Sequence, residues 1–341
     1  MTVHVGLIGA GNISDTHARA LREIRGVEIA AVYAPARPRV EAFAAQYGCA
    51  SYDSLEQMLA QRPLDMVVIG TPSGVHADHG IAAASRGLHV LVEKPIEVTT
   101  ARADALIDAA ARAGVTLGVI FQDRLKPDVR RLKSLVAAGR LGTPILANAR
   151  VKWYRPPSYY GGSRWRGTRA LDGGGALMNQ GVHTVDLLLW LFGPVRRVFG
   201  RTIAGLHAIE VEDTAVAVLE FASGAIGTLE AATSAYPGYS RQIELTGSNG
   251  TVRLDGDDLA AIDLKDARDD ERPAPGRGVT ASAASAIVAD PTAHVRVFED
   301  FIGAVGRGAP PACDGPDGRH SVALIEAIYQ SARTDQPVDL S

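Results

Sequence analysis

Short runs that are apolar on both faces, each followed by a segment of helical period, constrain the first third of this chain to a parallel sheet covered on both sides. The runs are 3–8, 27–32, 66–69, 89–92 and 116–120. Between them lie helical patterns at 36–47, 74–86 and 102–113, and Asp53 with Glu56 three residues on reads as a capping box opening a further short helix. The rhythm changes after Phe121. A helix at 130–138 stopped by Gly139, a strand at 145–153 and a loop at 154–172 rich in Tyr, Pro, Gly and Arg come next. A helix over 178–191 then precedes strands at 198–203, 214–221, 226–233, 242–246, 251–254 and 259–264, whose turn signals Ser223-Gly224 and Asn249-Gly250 suggest an antiparallel sheet. A charged, Pro- and Gly-rich surface loop is expected at 266–278, and closing helices at 291–305 and 318–334.

At 341 residues the chain exceeds what one hydrophobic core usually serves, so two domains are expected, 1–121 and 122–341. A net charge of −3 offers no electrostatic footprint for nucleic acid or an anionic membrane. No apolar run approaches the length of a membrane span. Cys49 and Cys313 fit no metal or redox spacing and read as reduced core thiols. With a first strand at 3–8 and no basic region or cleavage site before it, a cytoplasmic location is the expectation.

Gly9-Ala10-Gly11-Asn12-Ile13-Ser14 follows the first strand and opens a helix. Gly9 permits the tight turn, Gly11 lets a pyrophosphate approach the backbone, and the helix N-terminus stabilises its charge. Ser14 stands at the third glycine position and is still small enough for close helix–sheet packing. The alternative is a plain strand-to-helix turn, but strand, turn, helix and strand occur here in the order a dinucleotide site requires. After the second strand the chain reads Tyr33-Ala34-Pro35-Ala36-Arg37, without the carboxylate that would take both ribose hydroxyls. Arg37 inclines the reading towards NADP over NAD, unless it is only a solvated charge at a helix start.

Thr71-Pro72-Ser73-Gly74-Val75-His76 and Glu93-Lys94-Pro95 end two neighbouring strands at the edge where ligands of open α/β sheets sit. Lys94 there can hydrogen-bond a substrate hydroxyl, the bland alternative being a surface ion pair with Glu93. His76 and His79 at i, i+3 offer two metal ligands with no third at a fitting spacing, so no metal is expected. Asn179 and His183 are i, i+4 on the predicted helix, which puts them on one face, and Asp186 shares it. His183 can take a proton, Asn179 can orient substrate or ring, and Asp186 can hold the imidazole tautomer or support the fold. Alone, a histidine on an apolar helix reads as a core residue.

Together these residues resemble the Gfo/Idh/MocA family of sugar and inositol oxidoreductases. The resemblance is carried by the Gly9-to-Ser14 turn, Thr71 to His76, Glu93-Lys94-Pro95, Gly173-Gly174-Gly175 and His183-Thr184-Val185-Asp186. Residues 315–330, with Ala327-Ile328-Tyr329, look like the family's closing helix, which returns towards the first domain. The resemblance implies a Rossmann domain, then an α/β domain whose large open, mostly antiparallel sheet packs against another subunit as a dimer or tetramer. It implies a Lys–Asp–His arrangement carried over to Lys94 and His183, with Asn179 standing where the family often has Asp.

Implied cofactor contacts are Gly9, Gly11, Asn12, Ile13, Ala34 and Arg37 on the first two strands' loops. Thr71, Pro72, His76, Glu93 and Lys94 follow along the edge, and Gln122, Trp165 and Arg166 come later in the chain. Substrate contacts would be Lys94, Arg124, Tyr154, Asn179 and His183, beside a loop at 152–164 whose aromatics (Trp153, Tyr154, Tyr159, Tyr160) stack on sugar rings and whose arginines (Arg155, Arg164) take acidic groups. An oligomer contact is the alternative for that loop. The expected reaction is NAD(P)-dependent oxidation of a secondary alcohol on a sugar, cyclitol or sugar derivative. Two rivals share the fold: a glycoside-cleaving enzyme working by transient oxidation and elimination, and a non-catalytic NADP sensor, for which Lys94 and His183 would be superfluous.

Overall fold

The computed structural model describes residues 2–266 and 290–340. Apart from Asp266, the loop expected at 266–278 lies outside the described residues. The chain divides into two compact units, Met1–Gln122 with Ile287–Arg319, and Asp123–Ala286 with His320–Ser341. The stretch up to Arg319, assigned above to the second domain, thus groups with the first unit.

The first unit contains β1 (Val3–Ile8), α1 (Asn12–Arg22), β2 (Val27–Tyr33), α2 (Arg37–Tyr47), β3 (Ala50–Tyr52), α3 (Leu55–Ala60), β4 (Met66–Ile69), α4 (His76–Ala84), β5 (His89–Glu93), α5 (Thr100–Ala113) and β6 (Leu117–Ile120). Its six strands are all parallel in the order β3-β2-β1-β4-β5-β6. That order reverses direction between β1 and β4, the point at which such sheets open a crevice for a ligand. All four residues of β4 and of β6 are buried, as strands covered on both faces must be. The cap of α3 is shifted by one from the sequence reading. Ser54, not Asp53, holds the extended backbone and accepts the Gln57 N–H, because both pairs satisfy the same capping pattern and only the backbone turn selects between them.

In the second unit, α6 (Pro127–Ala137), β7 (Pro144–Lys152) and α7 (Pro157–Gly161) lead to a π-helical turn, Ala176–Gly181, and α8 (Val182–Phe192). Then come β8 (Val195–Ile203), β9 (Thr214–Phe221), β10 (Ile226–Ala232), β11 (Gln242–Gly247), β12 (Gly250–Asp255) and β13 (Asp258–Leu264). Helix α9 (Thr292–Arg307) belongs to the first unit, α10 (Gly315–Thr334) begins in the first and ends in the second, and β14 (Val338–Asp339) closes the chain. The eight-stranded sheet runs β13-β12-β11-β7-β10-β9-β8-β14 and is antiparallel except where β7 pairs with β10. Alternate residues of β9 and β11 are buried, so one face packs against helices and the other stays open. The single helix expected over 178–191 is two pieces, since the π-helical turn occupies its start.

Helix α9 docks through His294, Val297, Phe298, Phe301 and Ala304, a stripe of helical spacing buried against α1 and β6. A Cβ on Gly118 of β6 would sit 2.7 Å from the Phe301 ring, so the glycine lets this aromatic reach the sheet. Among the described residues no helix is long and apolar enough to cross a membrane. Phe301 is fully buried, and Phe301→Ala should destabilise the protein by about 3–5 kcal/mol. A lower urea midpoint would register this, and an unchanged midpoint would rule out the docking role.

Candidate active site

In the first unit the loop after β1 has the geometry of a phosphate cradle. Gly9 adopts φ +115°, and a Cβ on it would lie 2.7 Å from the Gly70 carbonyl. A Cβ on Gly11 would meet nothing within 4 Å, which leaves open space directly before α1. Gly11 is also the N-cap, with no side chain accepting from the first helical turn. The unsatisfied N–H groups there and the helix dipole favour an anion such as a pyrophosphate. Ser14 is buried against the position a Gly70 Cβ would take, with its Oγ 3.0 Å away. Gly70 is therefore a close-packed glycine the sequence reading missed; its signal was a glycine directly after the third apolar run, 66–69. Ala34 is buried at the end of β2. Arg37 is exposed, donates to Glu41 at 2.9 Å and reaches to 3.9 Å from Asp53.

Two residues expected to touch a cofactor make inward contacts of their own. His76 is buried, with Nδ1 2.9 Å from the Pro95 carbonyl and Nε2 3.0 Å from that of Thr71. Burial pushes its pKa down while both carbonyls pull it up, and the ring sits between the Thr71-Pro72 loop and the turn after β5, donating to at least one of them. Glu93 turns inward as well: Oε1 meets His17 Nε2 at 2.9 Å, and Oε2 accepts the Lys94 N–H at 3.0 Å. Burial would raise the Glu93 pKa, but His17, His294 and Lys94 bring it down to about 2. Glu93 is thus a fixed anion under the backbone of Lys94, whose own side chain is half-buried. The cis Lys94-Pro95 bond completes the turn. His17, Glu93 and His294 place ligand-type atoms within 4.8 Å of one another. The sequence reading did not bring them together, because they come from three separate elements.

The second unit supplies the histidine. In the segment 174–188 every residue is buried except Asn179, Gln180 and His183. The turn that presents them is built on glycines. A Cβ on Gly174 would fall 2.0 Å from the Tyr329 hydroxyl, and one on Gly175 1.8 Å from the Glu212 carbonyl. The buried Glu212 carboxylate accepts the N–H of Gly175 at 3.1 Å, the N–H of Leu177 at 2.8 Å and the Tyr329 hydroxyl at 2.9 Å. Burial raises the pKa of Glu212 against these donors. Neither Glu212 nor the bond made by Tyr329 was foreseen.

The π-helical turn holds Asn179 and so removes it from the α-helical spacing expected with His183, while His183 and Asp186 stay i, i+3 on α8. Asn179 donates through Nδ2 to Asp172 and accepts from Gln180 Nε2 at 2.8 Å. Asp186 is drawn to a cation. It forms a buried two-pronged pair with Arg124, at 2.9 Å to Nε and 2.7 Å to Nη2. Arg124 is buried and also lies over the Trp190 ring. The carboxylate near His183 is Asp123, whose Oδ2 lies 3.6 Å from His183 Nδ1.

Around the preceding loop, Arg166 stacks 4.2 Å over Tyr159, and Arg155 sits between Trp153 and Tyr159. Arg155 donates to Gln180 Oε1 at 2.9 Å, and Gln180 donates to the Tyr159 hydroxyl at 3.0 Å. Trp165 lies beside Arg166, and Tyr154 packs edge-on against Tyr236. Gln122 opens the short turn that carries Asp123 and Arg124. Arg164 is exposed.

Residues 3–121 match the oxidoreductase family with an NAD-binding Rossmann fold, and residues 129–253 match the GFO/IDH/MocA C-terminal domain. The chain is 30% identical to a D-apiose dehydrogenase of Paraburkholderia graminis, over 98% of this chain and 88% of that protein. It is 31% identical to a D-xylose 1-dehydrogenase (NADP(+)) of Haloferax volcanii, over 98% of this chain and 99% of the other. The WlbA dehydrogenase of Bordetella pertussis, solved in complex with NADH and UDP-GlcNAcA, is similar with a TM-score of 0.90 and 32% identity, covering 100% of this chain and 99% of that one. The chain belongs to the GFO/IDH/MocA family of oxidoreductases, and its first unit is that family's NAD-binding Rossmann fold.

Proposed function

We propose that this protein reversibly oxidises a secondary alcohol of a sugar, cyclitol or sugar derivative. The nicotinamide, when bound, supplies the hydride acceptor. The protein's part is to bind the sugar, take the hydroxyl proton and stabilise the developing alkoxide. His183 is assigned the proton, and one observation carries this: a half-buried imidazole on a segment otherwise open only at Asn179 and Gln180, with a carboxylate facing Nδ1. Lys94, at the carboxyl end of β5, is assigned the alkoxide charge, with Glu93 fixing its backbone. Asn179 is a neutral orienting group. The aromatic and cationic surface of Tyr154, Tyr159 and Arg166 suits a sugar ring and its polar substituents, and the substrates named for the relatives above are sugars or a nucleotide-sugar.

The test is His183→Ala. Turnover of added dinucleotide over a panel of sugars and polyols should fall by about a thousandfold or more, while the Kd for the dinucleotide stays within about twofold. Near-normal turnover would remove His183 from the mechanism. Wild-type protein should reduce dinucleotide in step with product, whereas a transient-oxidation glycosidase would show almost none of that change.

At the ribose end Arg37 supports a 2′-phosphate, and this is the ground for favouring NADP; Glu41 and Asp53 share its charge and moderate the preference. Arg37→Ala should weaken NADPH about tenfold and NADH little, as read by fluorescence titration, and equal losses for both would sink the assignment.

The open face of the large sheet is assigned to a second copy of the chain. Phe199, Val216, Val218 and Ile226 lie exposed on β8, β9 and β10, with Phe199 and Val218 directly paired. Val218→Glu should shift the protein towards monomer in sedimentation velocity. A wild-type protein that is already monomeric at micromolar concentration would refute this interface.

A further inference from the structure

We propose that Asp123 is the carboxylate partner of His183, a positioning residue whose charge faces Nδ1, favours the proton there and so leaves Nε2 as the nitrogen that takes the substrate proton. This rests on the function proposed above. The neighbouring carboxylates are committed elsewhere. Asp186 is closed into its pair with Arg124, Asp172 accepts from Asn179 and from the Gly167 N–H at 2.8 Å, and Glu212 holds the glycine turn. Asp123 faces the ring with Oδ2 3.6 Å from Nδ1, beyond hydrogen-bond range, and attraction across that distance in a buried setting acts on an imidazolium.

The setting of Asp123 is built to keep it ionised. It is held by Arg241 from the entry to β11 and by Lys126 at 2.7 Å from the entry to α6. Asp257, in the β12–β13 turn, bonds both of those cations. Burial raises the Asp123 pKa, but Arg241, Lys126 and His183 together hold it well below the ordinary carboxylate range. The charged groups packed about this carboxylate are therefore Arg241, Lys126, His183 and, through the two cations, Asp257; the Arg124–Asp186 pair, next in the chain and on α8, is closed on itself. When the hydroxyl proton moves to Nε2 and the hydride leaves for the nicotinamide, the imidazolium carries one added positive charge beside Asp123. The carboxylate stays ionised throughout, and the proton later passes to solvent. Lys126 and Arg241 compete with the imidazolium for Asp123, so they set how strongly the ring holds its proton.

This competition predicts shifts of opposite sign. Asp123→Asn removes the charge that favours imidazolium, so kcat should fall about a hundredfold or more, and the acid limb of the kcat profile should move down by about one pH unit. Lys126→Met frees Asp123 for His183, and the same limb should move up by about half a unit. Lys126 is 24% exposed, so its loss is the milder change for folding. A purely structural ion pair gives no such paired displacement. If Asp123→Asn keeps kcat within a few-fold of wild type, or if the acid limb is unmoved in Lys126→Met, the proposal is overturned. Should Asp123→Asn fail to fold by circular dichroism, the direction of the Lys126→Met shift alone decides. His183→Ala is run beside them. If it retains turnover, the function itself is wrong; if it is inactive while the acid limb of Lys126→Met stays put, only the role of Asp123 is.

Discussion

The second unit depends on what one buried carboxylate does at the start of β9. Glu212 takes two backbone N–H groups from the turn that enters the π-helical segment, and it receives the Tyr329 hydroxyl from α10. A helix start leaves several N–H groups without partners, and a buried one needs them filled. Here the acceptor comes from another strand, so the start of the segment is tied into the sheet and to the closing helix. The glycines are what make the grip close enough, since any side chain at 174 or 175 would collide with Tyr329 or with the Glu212 backbone. Asn179 and His183 inherit their positions from that anchor.

The same economy of polar groups is seen in the first unit. Glu93 and His76 stand in motifs that invite a direct ligand contact, yet each faces inward and stabilises a loop. An ionised Glu93 is held by His17, His294 and the Lys94 N–H against the cost of burial, and the buried His76 ring lies between two carbonyls, donating to at least one of them. What remains outward at these positions is glycine backbone, a helix N-terminus and Lys94. That is a surface suited to a phosphate and a hydroxyl.

The legible parts of the chain were those that rest on local pattern. Parallel strands announced themselves as runs apolar on both faces, and β9 at Thr214–Phe221 was read to the residue because alternation and a Ser-Gly turn bound it. A closing helix at 291–305 was equally plain, but the stripe by which it docks and the sheet it covers are tertiary matters, and Gly118 makes room for its Phe301. Strands β3 and β14, of three and two residues, carry too little pattern to be seen. The π-helical turn was invisible for a deeper reason. Its hydrogen-bond offset has no residue signature of its own, so a helical period read straight through it put Asn179, His183 and Asp186 on a single face. Partners such as Asp123 and Arg124, which lie about sixty residues before α8, have no local signature at all.

Asn179 itself makes sense once Asp172 is in view. Asp172 is buried and fixed by the Gly167 N–H, and the Asn179 amide donates to its other oxygen. An aspartate at 179 would set two carboxylates at hydrogen-bonding distance, where like charge forces one of them to hold a proton. A protonated group cannot stabilise an imidazolium. With Asp172 in place, the amide is the residue that lets both neighbours keep a single defined state. It also passes the polar chain on to Gln180, Tyr159 and Arg155. A negative charge for His183 then has to come from a different segment, and Asp123, clamped between two cations, is where this chain puts one.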